Sequence, residues 1–262
     1  MVEDNPRATS RRHETTIKKF DPKVFQLGYV ALETPQFEKT RDHYLETIGM
    51  TETAKGDDGS ANLSIGYNSH DIVLKKADGK ALLHLDYQLK PGKESEDFAK
   101  EVKDYGLTAK LESDSQPGIS ELVEVEGPGG NMFQFYSKMS APAPGFKKTG
   151  VASLRLGHVA VISEEAEKLM KFYGDFFGSR PTDDIANISF FYTCNREHHV
   201  VNIVNAPLSK VQHIAFQLKD NAHQAVAATL CARGASKHCG TQPAYSGAQH
   251  SRISLLSGPG DD

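Results

Sequence analysis

Residues 27–49 read LGYVALETPQFEKTRDHYLETIG and residues 156–178 read LGHVAVISEEAEKLMKFYGDFFG, and 8 of these 23 aligned positions are identical without a gap. The same offset of 129 residues aligns HLDYQL at 84–89 with HIAFQL at 213–218. Two blocks with one common offset indicate a duplicated module, since self-similarity at a fixed spacing is how repeats appear in a sequence.

The ends of the two copies differ. In the first copy, GPGG at 127–130 leads into the strand-like run NMFQFY at 131–136, whereas GPG at 258–260 is followed only by two aspartates. The second module is therefore predicted to lack its last strand. Prolines and glycines without periodicity mark residues 138–150 as a linker. We assign a flexible tail at 1–22 and modules at 23–137 and 151–262.

Each module contains strands and helices in a βαβββ order. The run Val24–Leu32 is rich in strand-forming residues. A helix is predicted to follow and to end at Gly49, because glycine is the favoured residue just past a helix. Further helices are predicted at Ser95–Tyr105 and Ala222–Ala232. The fold class is therefore α+β, with two βαβββ units in each module.

The composition excludes several classes of protein. Hydrophobic residues make up 38% and charged residues 24% of the 262 residues, as in ordinary globular chains. No apolar run approaches the roughly 20 residues that cross a bilayer, which argues against a membrane protein. A net charge of -4 argues against a strongly basic nucleic-acid binder.

The cysteines and the first residues suggest a compartment. Three cysteines, Cys194, Cys231 and Cys239, fit free thiols in a reducing environment better than a secreted disulfide framework. The first twenty residues carry both charge signs and lack the apolar segment of a secretory signal. We therefore expect a cytoplasmic protein.

The repeated motifs carry a family resemblance. The motifs resemble those of the vicinal oxygen chelate superfamily. They are LGYVAL and LGHVAV at the first strands, HLDY and HIAF at the fifth, and GPGGNMFQFY at the last. That superfamily includes glyoxalase I, bleomycin-resistance proteins and type I extradiol ring-cleaving dioxygenases. The resemblance implies paired units whose sheets curl into half-barrels around a site. It is strongest for the extradiol enzymes, which have two tandem modules and a stretch like CNREHH at 194–199.

The resemblance implies a metal centre in the second module. Extradiol enzymes hold Fe(II) with two histidines and one glutamate, which leaves open positions for a catechol-type diol and for O₂. By position, His158 and His213 would be the two histidine ligands. Taken alone, each is more often a hydrogen-bonded core histidine, but their matching positions in the repeat favour the ligand interpretation.

The third ligand has no match in the chain. The family glutamate corresponds to Gln134 of the first module, and its counterpart in the second module falls beyond residue 262. Asp261 and Asp262 are poor substitutes, because a chain terminus fixes geometry badly. In the first module the corresponding positions are Tyr29, His84 and Gln134, a poor ligand set. We interpret that module as a scaffold without metal.

The resemblance also implies catalytic residues. His199 lies 14 residues before His213, where the family has an acid–base histidine. His198 is a second candidate and would point to the opposite face if this stretch were a strand. The family also has a histidine and a tyrosine later in the second module. The histidine position falls on Tyr245 or Ser246 and the tyrosine position on Leu255. His250 is nearby but does not align with the histidine position.

Three functions follow as hypotheses. The first is an Fe(II)-dependent extradiol dioxygenase, inactive as given if the third ligand is absent. The second is a metal-free small-molecule binding protein of the same fold. The third is a glyoxalase- or isomerase-type member that uses another divalent metal, although CNREHH favours the dioxygenase.

Two weaker patterns complete the hypotheses. A zinc site at Cys231, His238 and Cys239 lacks a second ligand pair. An unpaired sheet edge in the second module predicts a homo-oligomer.

Overall fold

The computed structural model describes residues 20–141, 149–233, 239–242 and 252–256, with side chains through residue 232. Most of the tail assigned to 1–22 and of the linker assigned to 138–150 lies outside these residues, so those two assignments stay predictions. The fold is α+β, and two sheets curl into half-barrels as the family resemblance implied. None of the described helices is long and apolar enough to cross a membrane.

The first sheet has eight strands. In chain order they are β1 (Val24–Thr34), β2 (Thr51–Lys55), β3 (Ala61–Ser64), β4 (Ile72–Lys76), β5 (Ala81–Leu89), β6 (Ala109–Gln116), β7 (Ile119–Glu126) and β8 (Met132–Tyr136). Their order across the sheet is β2-β3-β4-β1-β5-β8-β7-β6. In each βαβββ unit the first strand runs parallel to the last, β1 to β4 and β5 to β8, and the units join through the antiparallel pair β1–β5.

The second sheet repeats this order with seven strands in the described residues. They are β9 (Arg155–Ser163), β10 (Arg180–Ile185), β11 (Ser189–Thr193), β12 (Val201–Asn205), β13 (Lys210–Gln217), β14 (Cys239–Gln242) and β15 (Arg252–Leu256). The order across the sheet is β10-β11-β12-β9-β13-β15-β14. Within the described residues, β13 has no parallel neighbour at the place that β8 holds beside β5.

In the second sheet, β15 lies beside β13 at the place that corresponds to β8 beside β5. In the first sheet β8 lies beside β5 and parallel to it, but in the second sheet β15 pairs directly with β13 in the antiparallel direction. The expected unpaired edge at this position is therefore wrong, because β15 satisfies the hydrogen-bonding groups of β13. The prediction of a homo-oligomer loses this support and stays untested.

The helices lie at matching places in the two modules. They are α1 (Phe37–Asp42), α2 (Ser95–Asp104), α3 (Ala166–Lys171) and α4 (Asn221–Arg233). Both α1 and α3 continue as π-helical segments, at His43–Ile48 and Phe172–Phe176. The first of these ends at Gly49, whose positive φ of 85° glycine adopts without strain.

One hydrophobic core joins the two modules. Its buried residues include Phe98 and Phe135 from the first module and Phe176 from the second. The rings of Phe98 and Phe135 are 4.6 Å apart, and those of Phe98 and Phe176 are 5.7 Å apart. A buried hydrogen bond of 2.8 Å between the hydroxyls of Tyr87 and Tyr173 also crosses this boundary. The position of the second sheet therefore depends on side chains of the first module.

Candidate metal centre

Two neighbouring strands bring His158 and His213 together. His158 lies on β9 and pairs with Ala215 of β13, while His213 lies two residues before Ala215 and so shares its face. The two Nε2 atoms are 2.9 Å apart, and His158 is buried with 6% of its surface exposed. The strand register thus brings together the two histidines that the family resemblance implied as ligands.

This geometry fits two ligands of one metal ion. A metal–nitrogen distance of about 2.1 Å and a right angle at the metal separate two ligand nitrogens by about 3 Å. The same contact also satisfies the two imidazoles as a hydrogen-bonded pair when one Nε2 is protonated. Burial lowers the pKa of His213 to about 4, so this ring is neutral at pH 7 and keeps a lone pair for a ligand bond.

A complete protein ligand set is not assembled by the part of the chain that the structure describes. Within that part, no group of three or more His, Cys, Asp or Glu side chains lies close enough to hold a metal ion. The described residues therefore fit two ligand positions and leave a third unassigned. Asp261 and Asp262, the sequence candidates for it, lie outside the described residues.

His199 contacts the pair from the loop before β12. Its ring centroid is 4.1 Å from that of His158 and 4.9 Å from that of Phe191, and it is buried with 8% exposure. Three imidazoles from two strands and one loop, those of His158, His199 and His213, thus form one cluster. Phe191 of β11 supplies an apolar wall beside it.

His198 does not point away from His199. Residues 194–198 form a series of bends and residue 199 is irregular, so side-chain alternation along a strand does not apply there. The Nδ1 atoms of His198 and His199 lie 2.8 Å apart, and His198 Nε2 is 3.9 Å from the carboxylate of Asp183. The opposite orientation was expected only for a strand and so does not apply, and the His198 ring contacts the His199 ring instead.

Two further polar contacts frame the cluster. Asn202 of β12 pairs with Ala160 of β9 and therefore lies on the face of His158; its side-chain amide donates to the hydroxyl of Ser189 at 2.7 Å. Arg155 forms an ion pair with Glu197 in the loop that carries His199. Sequence reasoning missed both contacts, although an asparagine between valine and isoleucine in the strand-like run VNIVN at 201–205 was a visible signal.

The first module holds a matching but different cluster. The hydroxyl of Tyr29 donates to Gln134 Oε1 at 2.7 Å, and His84 Nδ1 lies 2.7 Å from the carboxylate of Asp86, whose pKa burial raises to about 6. His70 lies 129 residues before His199, a match that sequence reasoning missed. Tyr29 is engaged with Gln134 and stands where the second module has His158, so the two-histidine arrangement is not repeated.

The cysteines differ from expectation. Cys194 is a free, buried thiol, and burial raises its pKa to about 12. Cys231 is disulfide-bonded, so the expectation of free thiols throughout is wrong. The hypothetical zinc ligands His238 and Cys239 have side chains outside the described residues.

The candidate residues near the end of the chain have no described side chains. Tyr245, Ser246 and His250 lie outside the described residues. Leu255 belongs to β15, for which the structure describes the backbone alone. Their assignment to the substrate side of the site stays a prediction.

Comparison with curated proteins finds distant relatives. No family model matches the chain. It is 23% identical over 169 residues to a manganese-dependent 2,3-dihydroxybiphenyl 1,2-dioxygenase of Geobacillus genomosp. 3, covering 59% of this chain and 54% of the relative. It is 20% identical to an iron-dependent extradiol dioxygenase of Rhodococcus jostii (strain RHA1), covering 76% and 74%. The chain thus spans about half the length of the first relative.

Solved structures match over more of the chain. The 2,3-dioxygenase LapB from Pseudomonas sp. KL28 aligns with a TM-score of 0.73 at 16% identity, covering 87% of this chain and 85% of that one. A Mn(II)-bound glyoxalase from Novosphingobium aromaticivorans aligns with a TM-score of 0.75 at 17% identity, covering 90% and 84%. The chain therefore has the vicinal oxygen chelate fold, in common with extradiol dioxygenases and a glyoxalase.

Proposed function

We propose that the chain is an extradiol-type dioxygenase that opens a catechol-type aromatic ring with O₂ and uses a divalent metal, Fe(II) in the first instance. The observation that carries this proposal is the cluster of His158, His199 and His213, with two Nε2 atoms 2.9 Å apart. The distant relatives support it, since their names describe manganese- and iron-dependent ring-cleaving enzymes.

His158 and His213 would hold the metal through their Nε2 atoms. Such a metal, when bound, would activate an aromatic diol and O₂ for ring opening. The buried position of His213 keeps its imidazole neutral, as a ligand must be. The first module serves as scaffold, because Tyr29 and Gln134 are engaged with each other there.

His199 would act as the acid–base group. Its ring lies against His158, within reach of a hydroxyl bound beside the two ligands. An imidazole at this place could accept a proton from the diol and return it later in the reaction. His198 holds the His199 ring through the contact between their Nδ1 atoms, and so positions it.

Two other functions have an observation in their favour. The lack of a three-residue ligand group in the described part of the chain favours a metal-free binding protein of this fold. The structural match to a Mn(II)-bound glyoxalase favours a glyoxalase- or isomerase-type activity with another divalent metal. All three proposals use the half-barrel of the second module as the ligand site.

The test combines metal binding with turnover. Apo-protein is titrated anaerobically with Fe(II) and with Mn(II) by calorimetry, and then assayed with 2,3-dihydroxybiphenyl for O₂ uptake and a coloured ring-opened product. The repeat offers a matched pair of variants, since His84 is the first-module counterpart of His213. We expect His213→Gln to abolish metal binding and His84→Gln to preserve it.

Each outcome distinguishes among the proposals. Stoichiometric metal binding with ring cleavage supports the dioxygenase. Metal binding without O₂ uptake rejects the dioxygenase and favours the glyoxalase-type alternative. Saturable binding of the diol without metal binding favours the metal-free protein. Equal loss of metal in both variants contradicts the assignment of His213 as a ligand.

A further inference from the structure

A cavity lies between the two modules, apart from the histidine cluster. It measures 470 Å³, and its wall is formed by the start of β1 and the residues before it, by Lys90 after β5, by Arg155 of β9 and by the loop 194–197. This volume falls in the usual range of small-molecule sites, about 300–1,000 Å³. The loop is tied to β1 through Asn195, whose side-chain amide donates to the carbonyl oxygen of Phe25 at 3.3 Å.

The cavity wall exposes aromatic surface. Phe20 and Phe25 both line it, with 41% and 48% of their surfaces exposed, and Pro22 and Val24 lie between them. Phe25, at the start of β1, does not pack into the core, because side chains alternate along a strand and its neighbour Val24 faces inward. Exposed aromatic side chains that share one concavity provide a stacking surface for an apolar ligand.

The charges around the cavity favour an anion. Three cationic side chains, those of Lys90, Arg155 and Arg196, line it against one carboxylate, that of Glu197. Lys90 is paired with Asp21 and Arg155 with Glu197. Arg196 is exposed and forms no ion pair within the described residues, so its guanidinium is available for a carboxylate in the two-pronged geometry that arginine favours.

We propose that this cavity binds a small aromatic carboxylate, with the ring against Phe20 and Phe25 and the carboxylate on Arg196. The site is independent of the proposed metal centre. It nevertheless shares the loop 194–199 with it, because Arg196 and Glu197 wall the cavity and His198 and His199 follow directly. Binding in this cavity requires neither a bound metal nor ring cleavage by the chain.

The test uses 1-naphthoate as the probe and 1-naphthamide as its uncharged analogue. Both are titrated into metal-free full-length protein by calorimetry and followed by amide resonances in NMR spectra. We expect naphthoate to bind at least about tenfold more tightly than the amide, since a hydrogen bond to a charged group is worth that much. The shifted resonances should include those of residues 194–197.

Variants locate the interaction. Arg196→Gln is expected to weaken naphthoate binding about tenfold or more while leaving the amide unaffected, and Phe25→Ser is expected to weaken both ligands. Lys39→Gln removes an exposed cation on α1, away from the cavity wall, and serves as the matched control with unchanged affinity. Equal affinities for acid and amide in the native protein, or unchanged affinity in Arg196→Gln, would overturn the proposal.

Discussion

Removing one hydroxyl from the Tyr87–Tyr173 pair is expected to destabilise the whole chain. The two oxygens lie 2.8 Å apart, both residues are buried, and they belong to different modules. In Tyr87→Phe the hydroxyl of Tyr173 stays buried and loses this partner. An unsatisfied buried polar group costs about 1–3 kcal/mol, so we expect the free energy of unfolding to fall by that amount.

The double variant separates the hydrogen bond from simple loss of polarity. Tyr87→Phe with Tyr173→Phe removes both hydroxyls and leaves no orphan, so its cost should be smaller than the sum of the single costs by about 1 kcal/mol or more. The chain contains no tryptophan. Urea unfolding is therefore best followed by far-ultraviolet circular dichroism, with the slope on urea concentration compared between variants.

A third tyrosine supplies the control. The ring of Tyr105 packs on Phe176 at 4.8 Å, but the residue is 41% exposed. Tyr105→Phe should change stability by no more than about 0.5 kcal/mol. Strict additivity of the two buried substitutions would show that the two hydroxyls do not interact across the module boundary.

Three further variants test the packing, the backbone and the ionisation of the fold. Phe98→Ala is expected to cost about 3–5 kcal/mol in urea unfolding, because it empties a fully buried site between two aromatic rings; a cost under about 1 kcal/mol would contradict that packing. Gly49→Ala should cost more than about 1 kcal/mol, since φ is +85° and the added Cβ would lie 2.1 Å from the carbonyl oxygen of Thr149. Gly79→Ala, with no atom within 4 Å, is the control and should show a smaller loss of stability. Burial raises the pKa of Asp71 from 3.8 to about 6. Because the pKa is higher in the folded state than in the unfolded state, the protonated carboxyl stabilises the fold fully below about pH 4. This stabilisation is lost as the pH rises through 6. The free energy of unfolding of Asp71→Asn, relative to that of the native chain, should therefore rise by about 1 kcal/mol between pH 5 and pH 7. A difference that does not change with pH would contradict the pKa shift.

The repeat made the central strands predictable. β1, β5, β9 and β13 were found because their residues recur at one offset and are buried on the core side. β2 and β10 were missed. Their sequences, TETAK and RPTDDI, are half-buried or exposed at the sheet edges and show no apolar alternation. An edge strand of this kind forms through backbone pairing, which leaves little periodic signal.

The site was predictable where strand geometry applied. His158 and His213 sit in regular strands, where the family resemblance assigned both as ligands, and the strand register places them on one face. His198 and His199 sit in an irregular loop, where side chains do not alternate as in a strand and the folded loop decides their orientation. The antiparallel pairing of β13 with β15 could not be predicted either, because it depends on which other strands are available to pair with β13 and not on the residues of β13 itself.

The core that both modules share makes the duplication a single cooperative unit. Phe98 of one half packs against Phe176 of the other, and each half would expose this apolar surface if separated. A protease that cuts between the halves should therefore release no folded fragment, and heating should produce one transition rather than two. The module without the histidine pair thus contributes to the stability of the module that carries it, whatever chemistry that second module performs.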